Sequence, residues 1–249
     1  MNAALGLRLF PAALAHTVPV LMGYLAIGVA FGLLLQQAGY PAYLAFFMSV
    51  VMYAGAAQYI SAGLFAAGAP LWEAALIQLV VNARHIAYGL SMLKRYNSAG
   101  PYKWYLIFAM TDETFALLSA ADERVVASGP DGAGIRLNQL PPRERGRYLF
   151  LVSVLNQSYW VAGSVIGAVC GSLLPFKIEG IGFALPALFI VLMLEQMLAI
   201  KKILPFVVAA ASAVLCVAVL PARVSLLSAI ACALVAVQLA SRWAARGRP

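Results

Sequence analysis

Long uninterrupted apolar runs constrain this chain more than any other feature of its sequence. Stretches of about 20 apolar residues recur along the whole length, and each is long enough to cross a hydrocarbon core of roughly 30 Å. Hydrophobic residues make up 63% of the chain and charged residues 10%, and the mean hydropathy is +0.89. The runs do not alternate between apolar and polar residues, as the strands of a membrane barrel would. The sequence therefore predicts an all-α protein, a polytopic bundle of membrane helices.

Eight apolar segments have the length of a membrane span, and a merged or re-entrant segment would reduce the number to seven. They are residues 17–36, 42–67, 71–93, 104–121, 148–174, 180–200, 204–220 and 222–240. Residues 122–147 are polar and rich in Gly and Pro, which is typical of a loop. We therefore expect a single transmembrane domain that covers residues 1–249.

The 17 basic residues outnumber the 9 acidic residues, and their positions indicate an orientation. No nucleic-acid motif accompanies them, and most fall in short hydrophilic gaps, as expected beside an anionic cytoplasmic leaflet. With the N-terminus inside, 11 basic residues are cytoplasmic, five of them in the loop 122–147, and 5 are outside. This distribution predicts cytoplasmic N- and C-termini and a cytoplasmic loop. Lys94, Arg95 and Lys103 fit it poorly, because they fall on the outer side.

The residues that usually carry metal or enzyme chemistry are sparse. Cys170, Cys216 and Cys232 lie inside apolar runs at no metal-binding spacing, so we interpret them as packing residues. His16 and His85 form no H-E-x-x-H motif, and there is no nucleotide-binding G-x-x-x-x-G-K-[ST] motif. The sequence therefore predicts no metal, no cofactor and no enzymatic activity.

Glycines at four-residue spacing predict close helix packing. Gly163, Gly167 and Gly171 form a small-residue ridge in the fifth span, and Gly28 and Gly32 form another in the first. The spacing leaves open whether these ridges contact each other or a second subunit.

Two spans carry glycine and proline at positions where a helix can be interrupted. Pro19 and Gly23 lie in the first span, and Gly182 and Pro186 lie in the sixth. Interrupted helices in both halves of a chain are typical of transporters built from internal repeats, where unwound backbone binds the substrate near the midplane. Proline is also frequent in membrane helices for packing reasons alone.

The segment VVNARHIAYGL, residues 80–90, places three polar side chains in a run that is otherwise apolar. On a helix, Asn82 and His85 share one face, and Arg84 lies about a third of a turn away. An ionised group at mid-bilayer costs on the order of 3 kcal/mol, so this face must meet protein or water. Because Arg84 needs an anion, a carboxylate is expected nearby. His85 is a candidate proton relay, since its pKa can move across neutrality.

The next span supplies carboxylates in MTDETFAL, where Thr111, Asp112 and Glu113 occupy one turn. One interpretation is a buried ion pair between Arg84 and either acid that holds two helices in register. The other is a site that handles a zwitterion, a proton or a cation, because two carboxylates outnumber one arginine. Three further polar residues are candidates to line a cavity, namely Gln58, Asn156 and Gln157.

Five segments together resemble the AzlC-type branched-chain amino acid permease family, the large subunit of bipartite amino acid exporters. They are GAAQY at 55–59, NARHIAYGLS at 82–91, TDETFAL at 111–117, NQSYWVAGSVIGA at 156–168 and FALPALFIVLMLEQ at 183–196. The resemblance implies export of branched-chain amino acids, and often methionine, across the bacterial inner membrane. It also implies a small AzlD-type membrane subunit as partner.

A zwitterionic amino acid needs an anion-binding group, an acceptor for its ammonium and an apolar pocket. Arg84 or an exposed helix N-terminus suits the first need, and Asp112 or Glu113 suits the second. Without a nucleotide-binding motif, we expect secondary transport. An ion channel and a non-transporting assembly subunit with a structural ion pair remain as alternatives.

Overall fold

Helices dominate the part of the chain that the structure describes. The computed structural model describes residues 2–128, 134–173, 183, 186–187, 190, 193–194, 197–198, 203–220, 228–229, 231–233 and 235–239. Gly182 and much of the sixth and eighth predicted spans lie outside these residues. The chain divides into two compact units, residues 1–185 and 186–249. In the second unit, α9 (Leu204–Val219) corresponds to the seventh predicted span.

Two long helices form the centre of the first unit. They are α1 (Asn2–Gln37) and α8 (Pro142–Leu173), and they pack against each other along much of their length. By length and composition, Leu9–Gln37 and Pro142–Leu173 are the two described helices that are long and apolar enough to cross a membrane. The other predicted spans in this unit consist of shorter helices.

The glycines of α1 and α8 bring the two backbones together. A Cβ atom added to Gly32 would overlap the backbone of Ser164, and one added to Gly167 would overlap the backbone of Val29. The predicted glycine ridges therefore contact each other within the chain, which settles the alternative that the sequence left open.

The break predicted at Pro19 and Gly23 is not present, because α1 continues through both residues. Pro19 cannot donate to the carbonyl one turn earlier. The Thr17 hydroxyl donates to the carbonyls of Ala13 and Leu14 at 3.1 and 3.0 Å. These bonds do not replace the one that Pro19 cannot make, because the carbonyl left without a donor is that of Ala15. Proline is nevertheless tolerated in membrane helices. Pro186 is helical in the second unit, and Gly182 lies outside the described residues.

The interruptions occur instead in the second, third and fourth predicted spans. The second span is α2 (Ala42–Phe47), a π-helical turn (Met48–Met52) and α3 (Gly55–Ala66). The third is α4 (Leu71–Asn82) and α5 (Arg84–Asn97). The fourth is a 3₁₀ turn (Gly100–Tyr102), α6 (Lys103–Phe108) and α7 (Asp112–Ser119). Broken helices are therefore present, but in these three spans and not at the predicted Pro19 and Gly23.

The α6–α7 segment begins and ends at the same end of the first unit. At its start, Lys103 donates to Asn97 at 2.6 Å, and at its end Arg95 pairs with Asp122 at 2.5 Å. Asn97 and Arg95 both belong to the last turn of α5. Helices of 6 and 8 residues rise only about 9 and 12 Å. The segment 104–121 therefore forms a hairpin of two short helices and not one continuous helix, and the number of membrane spans stays a prediction.

The α2–α3 segment forms a second hairpin, which enters from the opposite end. Tyr40, just before α2, contacts Phe65, in the last turn of α3, with ring centroids 5.5 Å apart. The interruptions of the two hairpins meet inside the unit, where Tyr53 and Phe108 have centroids 6.5 Å apart. The α4–α5 pair connects the two ends of the unit, because it starts after α3 and ends beside Asp122.

The predicted loop 122–147 has structure of its own. Strands β1 (Val125–Ser128) and β2 (Gly134–Arg136) pair antiparallel, a 3₁₀ turn (Leu137–Gln139) follows, and α8 then begins. Buried Val126, Leu137 and Tyr148 belong to one apolar cluster with Leu9 of α1. The start of α1 and the start of α8 therefore lie at the same end of the unit as the α5–α6 connection.

Candidate functional site

The interruption between α6 and α7 creates a polar helix start deep in an apolar unit. Thr111 has extended backbone, and its hydroxyl accepts from the N–H of Thr114 at 3.2 Å, as a helix N-cap does. Asp112 and Glu113 follow in the first turn, where the helix dipole favours negative charge. The sequence T-D-E-T therefore starts a helix at this depth because its side chains satisfy the free N–H groups.

Asp112 pairs with Arg84 of α5. One guanidinium nitrogen lies 2.7 Å from Oδ2 of Asp112, and the two side chains are 33% and 20% exposed. The Arg84 Nε and the Asp112 Oδ1 are buried and make no hydrogen bond within the described residues. The ion pair ties the start of α7 to the start of α5.

Glu113 has different neighbours, because successive residues of a helix point in different directions. Its Oε2 accepts a 2.7 Å hydrogen bond from the hydroxyl of Tyr24 on α1. The Tyr24 hydroxyl also lies 2.7 Å from the Thr111 hydroxyl. Among the ion pairs of the described residues, none includes Glu113. Glu113 is therefore a half-buried carboxylate whose described hydrogen-bond partner is a neutral hydroxyl.

The hydroxyl cluster extends to α8 through Thr114 and Asn156. Asn156 is completely buried, and its amide donates to the Thr114 hydroxyl at 3.1 Å. The Thr114 hydroxyl also accepts from Thr111 at 3.0 Å. The Asn156 Oδ1 has no hydrogen-bond donor among the described residues. Asn156, predicted to line a cavity, is thus bonded to the hydroxyl cluster and keeps an acceptor without a described donor.

Gln58 and Gln157 hold the interruption of the α2–α3 hairpin. Gln58 is completely buried, donates to the Ser49 hydroxyl at 3.1 Å and accepts from the Trp160 indole at 2.8 Å. Gln157 donates to the Val50 carbonyl at 3.0 Å and accepts from the Tyr105 hydroxyl at 2.6 Å. Both glutamines therefore satisfy groups in or around the π-helical turn.

Asn82 and His85 form a separate group at the α4–α5 interruption. Asn82 donates to the carbonyl and side-chain oxygens of Gln78 at 2.9 and 3.3 Å. His85 Nδ1 lies 3.0 Å from the Asn82 carbonyl. Neither side chain has a described hydrogen bond to Asp112 or Glu113. The structure brings together Arg84 and Asp112, and separately Glu113, Thr111 and Asn156, but it does not bring His85 to the carboxylates.

Sequence reasoning missed two tyrosines of this site. Tyr24 bonds to Glu113 and contacts Trp160 edge to face, with centroids 5.4 Å apart. Tyr53 lies at the interruption of the α2–α3 hairpin and is 2% exposed. A tyrosine in an apolar run gives no polar signal, so neither could be distinguished from a packing residue. The N-cap pattern of T-D-E-T, in contrast, was available as a signal for the break before Asp112.

Three contacts connect α5 to α7 and to the residues that follow α7. A cavity lies beside the third of these contacts. The Arg84–Asp112 pair is followed by stacked Tyr88 and Phe115 rings at 4.5 Å, and then by Arg95 at the end of α7. The cavity has a volume of about 430 Å³ and is lined by Ser91, Met92, Lys94, Arg95, Phe115, Ser119, Asp122 and Arg145. Phe115 therefore lies between this basic cavity and the ion pair. Among the described residues, no group of three or more His, Cys, Asp or Glu side chains is placed to hold a metal ion.

Comparison with known proteins places this arrangement in a family. The family model described as AzlC protein matches residues 19–174. The chain is 36% identical over 193 residues to the branched-chain amino acid transport protein AzlC of Bacillus subtilis, covering 78% of this chain and 70% of the relative. It is 40% identical to an uncharacterized membrane protein of Helicobacter pylori, covering 76% of each.

A third relative is the inner membrane protein YgaZ of Escherichia coli, which is 32% identical over 188 residues and covers 72% of this chain and 70% of its own length. No solved structure matches the chain.

Proposed function

The chain belongs to the AzlC family of membrane transport proteins, and from this premise we propose that it exports branched-chain amino acids. Valine, leucine, isoleucine and methionine are the proposed substrates, and a small AzlD-type membrane subunit is the proposed partner. The proposed location is a bacterial inner membrane, with both termini cytoplasmic.

The observation that carries the proposal is that Glu113 has no cationic partner among the described residues. Arg84 is paired with Asp112, so the second carboxylate of the same helical turn has hydroxyl partners and no described cationic partner. A buried charge without a counter-ion is costly. A primary ammonium removes that cost when it binds, and so does a proton. Glu113 is therefore the acceptor for the substrate ammonium or for a coupling proton.

The surroundings of Glu113 suit an amino acid with an apolar side chain. Tyr24 and Trp160 pack edge to face beside the cluster, and Phe31 stacks on Trp160 with centroids 6.2 Å apart. Such sites are mostly apolar with a few placed polar groups. The Arg84–Asp112 pair fixes the α7 start that carries Glu113, so we assign it a positioning role.

The cavity beside Arg95 lies at the end of the unit where α5 finishes. Its wall residue Phe115 is one turn of α7 away from Asp112, and Tyr88, which stacks on Phe115, is one turn of α5 away from Arg84. We propose that substrate enters through this cavity and passes the Tyr88–Phe115 pair. Because the sequence has no nucleotide-binding motif, an electrochemical gradient is the proposed driving force.

Counterflow of labelled valine into proteoliposomes tests the function. The purified chain, its small partner and the two together are reconstituted separately, and Glu113→Gln is compared with Glu123→Gln, a residue that lies just before β1 and pairs with Arg136. We expect saturable counterflow from the wild type and the control, and a loss of at least tenfold with Glu113→Gln, because an amide cannot neutralise an ammonium or carry a proton. A steep unitary conductance without counterflow would favour a channel. Equal counterflow from the partner alone would favour the assembly role.

A further inference from the structure

Tyr53 holds an unusual backbone conformation at the point where the two hairpins meet. It follows the π-helical turn Met48–Met52 and has φ 40° and ψ 49°, in the left-handed region. Among the described residues it is the one non-glycine with positive φ. A bulky side chain in this region is energetically costly and persists where the surrounding structure requires it, often at a functional site. π-Helical turns are also frequent at functional sites.

The side chain of Tyr53 carries a second cost. The residue is 2% exposed, and its hydroxyl makes no hydrogen bond within the described residues. Its polar neighbours are the side chains of Tyr24 and Thr114, and Tyr24 in turn bonds to Glu113. An unpaired buried hydroxyl destabilises a protein. Tyr53 therefore combines a strained backbone with an unsatisfied donor, and both are located at the candidate site.

Neither the strained backbone nor the unpaired hydroxyl of Tyr53 is needed to form the α2–α3 hairpin. Glycine adopts this backbone conformation without strain, and phenylalanine would fill nearly the same buried space without an unpaired hydroxyl. Tyrosine differs from glycine and phenylalanine in supplying a hydroxyl beside Tyr24 and Thr114. A ligand group that accepts a hydrogen bond there would satisfy it.

We propose that the Tyr53 hydroxyl donates a hydrogen bond to the carboxylate of the amino acid substrate while Glu113 binds the ammonium. This inference rests on the proposed function. The two charged groups of an α-amino acid are attached to one carbon, so the residues that bind them must be close together, and Tyr53 and Glu113 both adjoin Tyr24. Arg84 is not assigned to the carboxylate, because its guanidinium is already paired with Asp112. The free Asn156 Oδ1 is an acceptor for a second ammonium hydrogen.

Ligands that lack one charged group separate this role from a structural one. Binding of valine and of isobutylamine, which has the ammonium and no carboxylate, is measured on the purified wild type, Tyr53→Phe and the control Tyr59→Phe. The Tyr59 hydroxyl donates to the Ile27 carbonyl at 2.6 Å, so its removal reports a structural hydroxyl. Thermal unfolding in detergent is recorded for all three.

We expect Tyr53→Phe to unfold at or above the wild-type temperature and to bind valine about 10- to 100-fold more weakly, the effect of one hydrogen bond to a charged group. Isobutylamine affinity should stay unchanged. Tyr59→Phe should lower the unfolding temperature and leave the ratio of the two affinities unchanged. Valine binding that survives Tyr53→Phe, an equal loss for both ligands, or a variant that does not fold would overturn the inference alone. A wild type that binds no amino acid would overturn the proposed function as well.

Discussion

Asp112 and Glu113 are neighbours in sequence with the same charge, and the structure gives them different partners. Asp112 meets a guanidinium, and Glu113 meets the Tyr24 hydroxyl. The direction of the side chains around α7 produces this difference, since a step of one residue turns the chain by about 100°. Pairing of Arg84 with one of the two acids was predictable from the cost of an unpaired charge. Which acid it meets depends on the rotation of α7, and no sequence pattern fixes that rotation.

Charge neutralisation separates the two roles. Arg84→Gln or Asp112→Asn alone leaves one charge without its partner. It should destabilise the protein by somewhat less than the roughly 3–5 kcal/mol of a fully buried pair, because Arg84 is 33% exposed. The double variant Arg84→Gln with Asp112→Asn should recover most of that loss and retain valine counterflow, whereas Glu113→Gln should accumulate normally and be inactive. Membrane abundance and counterflow of the four variants are the measurements. A folded, inactive double variant would assign the ion pair a direct part in transport.

At the scale of elements, hydropathy predicted where the apolar segments are and failed to predict where they break. The break after Phe108 follows from the N-cap chemistry of T-D-E-T, which is legible in the sequence but lies within an apolar run of span length. The break at Tyr53 has no glycine or proline at the strained position, so it arises from tertiary packing. In contrast, Pro19 lies in a continuous helix, so a proline in an apolar run does not by itself predict a break.

The contact between α1 and α8 predicts unequal effects for two glycines of the same helix. Gly32→Ala would place a Cβ against the Ser164 backbone, whereas Gly23→Ala meets no atom within 4 Å. The first change must separate the helices and should destabilise the protein by about 1–3 kcal/mol or more. The second should be neutral or stabilising by up to about 1 kcal/mol, because alanine is the better helix former. Thermal unfolding in detergent compares the two, and equal unfolding temperatures would show that α1 and α8 do not pack through Gly32.

For the whole molecule, we propose that both hairpins are re-entrant, which changes which basic residues share a side of the membrane. Arg145 donates to Ser98 at 3.2 Å, and Gly146 packs against the backbone of Ala99. The α5–α6 connection therefore lies beside the start of α8 and the loop before it. Moving Lys94, Arg95 and Lys103 to that side changes the predicted division of basic residues from 11 against 5 to 14 against 2. The poor fit of these three residues to the positive-inside rule is thereby removed.

Cysteine labelling in intact cells distinguishes the re-entrant arrangement from eight spans. In a background without Cys170, Cys216 and Cys232, single cysteines replace Ala67, Asn97 and Ser128. Ala67 follows α3 at the end away from the loop, and it should react with an impermeant maleimide added outside. Asn97, in the last turn of α5, and Ser128, in β1, should react only after permeabilisation, because both lie at the basic end.

An α6–α7 segment that crossed the membrane would instead place residue 97 outside while residue 128 stayed inside. The three labelling patterns can be compared in one experiment, with Ser128→Cys as the protected reference and Ala67→Cys as the reactive one. Protection at both 97 and 128 follows from the contacts of Arg95 with Asp122 and of Arg145 with Ser98, since side chains in contact cannot lie on opposite sides of a bilayer roughly 30 Å thick. Labelling of Asn97→Cys from outside, with Ser128→Cys protected, would rule out the hairpin and restore the crossing helix.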